Sequence, residues 1–106
     1  MYDMSVLIEF AMFPTDKGES VSSYVSRIVE MIDKKYTSYK LTPMGTIVEV
    51  ETLGDALQVV DAAYKELEPD CSRVYSTIKL DIRKGKSGRL TQKIESVEKK
   101  VGKKLK

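Results

Sequence analysis

The apolar pattern changes period several times along the chain, and each change marks an element. From Met4 to Phe13 the residues are apolar except Ser5 and Glu9. A run of that kind, closed by Pro14, predicts a strand covered on both sides. Val6, Ile8, Phe10 and Met12 form one face, and Leu7, Glu9, Ala11 and Phe13 the other. After the turn residues Thr15-Asp16-Lys17-Gly18 the spacing lengthens. Val21, Val25, Ile28, Val29 and Ile32 recur at three- and four-residue steps, which predicts an amphipathic helix from about Ser20 to Lys35. Ser20 and Ser22 are its candidate caps. Two short strands follow, Tyr36 to Thr42 and Thr46 to Glu51, joined at Pro43-Met44-Gly45. Proline fixes φ there, and the glycine is expected to supply the positive φ of a tight turn.

The second half repeats the scheme. Thr52-Leu53-Gly54-Asp55 has the hydroxyl-to-carboxylate spacing of a helix start. Ala56, Leu57, Val60, Ala63, Tyr64 and Leu67 then form a helical stripe that ends at Pro69-Asp70. From Arg73 to Arg83 the alternation is strict. Val74, Ile78, Leu80 and Ile82, with Ser76 among them, face an expected core, and Arg73, Tyr75, Thr77, Lys79, Asp81 and Arg83 face away. A last helix over about Arg89 to Leu105 carries Leu90, Ile94, Val97 and Val101 as a narrow stripe suited to docking along a groove.

This order predicts one domain over residues 1–106, a ferredoxin-like split βαβ fold with a C-terminal helix added. The expected antiparallel sheet has strand order 4-1-3-2. The first two helices should cover one sheet face. The other face carries Glu9, Ile47, Glu49, Tyr75, Thr77 and Lys79 among Leu7, Ala11 and Phe13, a mixture too apolar for water alone. Cover by the last helix or by another subunit is expected. A homo-oligomer, dimer or tetramer, through sheet faces or edges follows.

Composition narrows the function. The 106 residues include no histidine and one cysteine, Cys71. Histidine-based catalysis, histidine-ligated zinc and an intrachain disulfide are thereby excluded. No Asp-rich loop of calcium-binding spacing is present, so no metal site is expected. Met1-Tyr2-Asp3-Met4 lacks the basic start of a signal peptide, and no apolar run is long enough to span a membrane; a cytoplasmic protein is expected. The net charge of +2 conceals an asymmetry, because residues 83–106 carry +8 and residues 1–82 carry −6. The basic end reads as a solvated helix face and tail, or as an arm for nucleic acid. No strand bears an aromatic RNA-reading motif, so nucleic acid is the lesser alternative.

Several motifs resemble those of the small thiamine-binding protein family: Val21-Ser22 and Tyr24-Val25, Tyr39 followed after one residue by Leu41-Thr42-Pro43-Met44-Gly45-Thr46-Ile47-Val48-Glu49, Arg73-Val74, Thr77-Ile78-Lys79-Leu80-Asp81 with Arg83, and Ser96-Val97-Glu98. The resemblance runs from about Val6 to Val101. It implies a ferredoxin-like subunit, assembly through sheets, and non-catalytic binding of thiamine or a related pyrimidine, with no further cofactor. Ile82 stands where the family often has a second aspartate, and Tyr64-Lys65-Glu66 where a His-Glu pair is common.

A site for thiamine wants a carboxylate for its cation, hydroxyls for its aminopyrimidine, and an apolar or aromatic wall. Glu49 is the expected anchor, with Glu9 as a second carboxylate. Thr46 and Ser22 offer hydroxyls, and Phe10 and Met44 a wall, with Tyr39 or Tyr75 as alternatives. Each has a plainer role open beside this one: Glu49 as a cross-strand ion pair with Lys79 or Arg73, Thr46 as a turn residue, Ser22 as a cap, the aromatics as core. A Glu9–Glu49 acid–base pair is conceivable, but nothing names a substrate, and no enzyme is expected. An oligomer without any small ligand is the remaining alternative.

Overall fold

The computed structural model describes residues 4–105, without the side chains of residues 91–93. Lys93 and Lys106 of the basic stretch therefore lie outside the described side chains. The order is β1 (Met4–Pro14), α1 (Ser22–Lys35), β2 (Tyr39–Thr42), β3 (Gly45–Val50), α2 (Leu53–Leu67), β4 (Val74–Lys84) and α3 (Arg89–Val101). The four strands form an antiparallel sheet ordered β2-β3-β1-β4, the expected ferredoxin-like arrangement.

β1 is central because both of its faces are apolar and both of its edges are paired. Its register sets the faces: Phe10 lies between Thr46 and Ile78, and Leu7 between Glu49 and Asp81. Directly opposed residues share a face. On the inner face Val6, Ile8, Phe10, Met12 and Val48 meet Ile28, Met31 and Ile32 of α1 and Ala56, Val59, Ala63 and Leu67 of α2 in the core.

Four expectations change. α1 begins at Ser22 behind Val21, and neither serine caps it, since no side-chain oxygen reaches its first N–H groups. α2, by contrast, is capped as its sequence indicates, with Thr52 Oγ1 accepting from Asp55 N at 3.0 Å. The buried side of α2 is rotated from the expected stripe: Val59 is buried, while Leu57 and Tyr64 are exposed. The apolar row of β4 faces inward, yet Ile78, Leu80 and Ile82 remain 44%, 41% and 47% exposed. α2 packs over β1 and β3, which leaves that row at the margin of the helical layer.

α3 ends at Val101 before Gly102, whose φ of 85° turns the chain out of the helix. It lies against the opposite sheet face, touching β3 and β1. Its stripe is only partly used, since Ile94, Val97 and Val101 are all exposed.

Candidate functional site

The β2–β3 turn is built by the threonine before the proline. Thr42 Oγ1 accepts from Met44 N at 3.2 Å and Gly45 N at 3.1 Å, and donates to Gly45 O at 2.8 Å. This side-chain turn fixes the hairpin tip, with Pro43 pre-setting φ. Gly45 is required for a reason other than the expected one. Its φ is not positive. A Cβ there would stand 2.8 Å from the carbonyl oxygen of Phe10, so glycine permits close approach of the hairpin to β1.

That approach shapes a cleft of about 300 Å³ between the hairpin and the flank of α1. Phe10, Val25, Ile28, Leu41 and Met44 make its apolar wall, and Thr46 stands among them. Met44 is 85% exposed at the rim, whereas Phe10 is 2% exposed and closes the floor. Among the described residues, no lining side chain is titratable. The cleft offers apolar surface and the Thr46 hydroxyl to a flat, largely apolar molecule.

The sequence-derived site residues fall into two groups on opposite faces of the sheet. Phe10 and Thr46 are register partners on the inner face, and Met44 joins them at the cleft. Glu9 and Glu49 lie on the outer face, because Glu49 opposes Leu7 and Glu9 opposes Ile47. Ser22 is exposed and does not line the cleft. The structure therefore brings three of the six together and sets the two carboxylates behind the sheet. Of the alternative walls, Tyr39 donates its hydroxyl to Asp33 Oδ1 at 2.6 Å, and Tyr75 stands against Phe13 with ring centroids 5.8 Å apart. The bond to Asp33 holds the Tyr39 phenol above its ordinary pKa.

Glu49 has a structural partner that pattern reasoning did not supply. It makes no ion pair with Lys79 or Arg73. Its Oε2 accepts from the backbone N–H of Arg89 at 3.0 Å, capping the first turn of α3 with a carboxylate. Lys79 pairs instead with Glu9, at a loose 3.8 Å. A cleft of about 270 Å³ adjoins Glu49, bordered by Ser38, Lys40, Gly88 and Leu90.

Arg89 is the residue that sequence reasoning missed. Its guanidinium is only 8% exposed. Nε donates to Ser5 Oγ at 2.7 Å, Nη2 to the carbonyls of Ser5 at 2.8 Å and Asp81 at 2.6 Å, and Nη1 meets Asp81 Oδ2 at 3.0 Å. This fork fastens α3 to both neighbouring strands. One signal was available: a cation at a helix N-terminus is unfavourable toward the dipole and needs a partner elsewhere.

Residues 8–98 match the family described as "Thiamine-binding protein". The chain is 39% identical over 83 residues to a UPF0045 protein of Methanothermobacter thermautotrophicus, covering 77% of this chain and 84% of that one. A UPF0045 protein of Methanocaldococcus jannaschii is 32% identical over 92 residues, 87% of this chain and 91% of its own. A crystal structure of a hypothetical protein from M. jannaschii superposes with TM-score 0.77 at 31% identity, over 88% of this chain and 95% of that one. A Thermotoga maritima protein, provisionally described as one of thiamine biosynthesis or salvage, shares the fold at TM-score 0.73 and 19% identity, over 88% and 98% of the two chains. The fold agrees with these matches, and the chain belongs to the thiamine-binding protein family.

Proposed function

We propose that this protein binds thiamine or a related pyrimidine without transforming it. The family match over residues 8–98 carries this reading. The cleft at the Pro43-Met44-Gly45 turn supports it with a site of suitable character: an apolar wall, the Thr46 hydroxyl, and no catalytic group among the described lining residues. The outer carboxylates Glu9 and Glu49 are the second candidate location, where a thiazolium cation would compete with Arg89 N–H for Glu49. Homo-oligomeric assembly belongs to the same reading, since it would cover the inner row of β4 and the stripe of α3. The rival reading as a nucleic-acid arm is weakened by Arg89, whose guanidinium is spent on Ser5 and Asp81.

Calorimetric titration with thiamine, its mono- and diphosphate and hydroxymethylpyrimidine tests the proposal on wild type, Thr46→Val and Glu49→Gln. Saturable binding weakened by Thr46→Val and indifferent to Glu49→Gln locates the ligand in the cleft. The opposite pattern moves it to the outer carboxylates. Absence of heat from all four compounds sinks the thiamine reading.

A further inference from the structure

α3 is tied to the sheet at one end. Among the described residues, every hydrogen bond from α3 to the sheet comes from Arg89. Its guanidinium spans Ser5 of β1 and Asp81 of β4, and its backbone N–H takes Glu49 of β3. Farther along, the bonds are made within the segment itself. Glu98 accepts from Gly102 N at 2.8 Å through its carbonyl and from Leu105 N at 2.6 Å through Oε2. Apolar contact holds this end weakly, because Ile94, Val97 and Val101 are 41%, 40% and 52% exposed and stabilisation scales with the area removed from water.

The segment before α3 can pivot. Gly85 and Gly88 have φ of 80° and 67°, and a Cβ at either would meet nothing within 4 Å. Glycine serves the backbone conformation at both positions and packing at neither. Gly88 also borders the cleft of about 270 Å³ beside Glu49, together with Leu90 of α3. Ser38, Tyr39 and Lys40 make the facing wall. One wall of the cleft is therefore the start of the helix, and the carboxylate beside it is engaged by Arg89 N while α3 is docked.

We propose that α3 is a hinged cover over the outer sheet face, held shut by Arg89, and that it swings out about Gly85 and Gly88 to uncover Glu49. The ties cluster on one residue, so opening is a single cooperative step. The start of α3 is then an internal competitor for the Glu49 carboxylate. A cation that takes Glu49 removes one tie of the helix, and release of the helix frees Glu49 for a cation. The inference concerns access to the outer face and holds whichever cation binds there.

Hydrogen exchange read by mass spectrometry, with carbodiimide labelling of carboxylates, tests it on full-length wild type and Arg89→Met. The expected result for the variant is exchange over residues 94–101 faster by roughly tenfold or more, as one block, with the β1 amides unchanged. Glu49 labelling should rise in step, while that of Glu9, already 41% exposed on the same face, stays constant. Asp81→Asn, at a side chain 68% exposed, removes only the ion pair and should move both readouts the same way by less. It serves as the test if Arg89→Met does not fold. Unchanged α3 exchange would overturn the proposal. Faster exchange without a rise in Glu49 labelling would mean fraying and would overturn it too. Loss of β1 protection together with that of α3 would show that Arg89 secures the whole sheet, which is equally fatal to a hinged cover.

Discussion

β1 and β4 are equally long, pair residue for residue over eleven positions, and each presents an apolar row to the inner face, yet those rows end in different environments. Ile8 is 0% exposed, and Leu80, its register partner on the same face, is 41% exposed. Alternation thus records which side of a sheet a residue takes. Whether that side is covered depends on where the helices land, and α2 lands on β1 and β3. An apolar row that survives uncovered is a request for a partner.

The comparison can be broken by truncating both members of one register pair in turn. Ile8→Ala is expected to cost about 2–5 kcal/mol, through lost burial and the cavity left behind. Leu80→Ala should cost about 1 kcal/mol or less in dilute, monomeric protein, a typical surface value. Urea denaturation measures both, and equal losses would mean that the β4 row is packed as tightly as β1. Gly45→Ala is next, at about 1–3 kcal/mol, because the added methyl must displace the β1 backbone at Phe10. The two helices of the covered layer differ at their starts, so Thr52→Ala should cost about 1 kcal/mol while Ser22→Ala is nearly neutral.

The smallest expected effect concerns the end where β1 hands over to β4. Asp16 Oδ2 accepts from Ser72 Oγ at 2.6 Å and Ser72 N at 2.8 Å, and these bonds hold its carboxyl near pKa 2, down from 3.8. A lowered folded-state pKa contributes stability that is present above about pH 4 and lost as pH falls through about 2. Asp16→Asn should remove that part of the acid dependence. Hydrogen exchange at the neighbouring Thr15 N–H, bonded to Arg73 O at 2.9 Å, would report it. An unchanged acid profile would mean that the link is not formed in solution.

The fold was readable because its signals are local and redundant: the periods two and 3.6, the prolines, and the threonine cap each point to the same boundaries. The strand register followed from topology and confirmed that Thr46 and Glu49 face opposite ways, as their three-residue separation on a strand dictates. The geometry of the candidate site was less legible. Phe10, Thr46 and Met44 meet because they share the inner face and its hairpin. Pattern alone offers Glu49 as a ligand anchor or a cross-strand pair; its bond to Arg89 N joins residues forty positions apart, which no local pattern encodes. By its type Gly45 reads as a turn residue. Its actual constraint is the carbonyl of Phe10 on another strand, which again is tertiary information.

The central place of β1 has a consequence for how the chain is made. Its partner on one side arrives with β3, but Met12 must wait for Ser76 and Met4 for Lys84. At ribosomal rates of about 5–20 residues per second, one edge of an apolar strand stays unpaired for some seconds after it emerges. Pairings so distant in sequence also slow refolding relative to a helical protein of equal length. Holdase chaperones that shield unpaired strand edges should therefore engage the nascent chain before residue 84 is synthesised and release it once β4 docks.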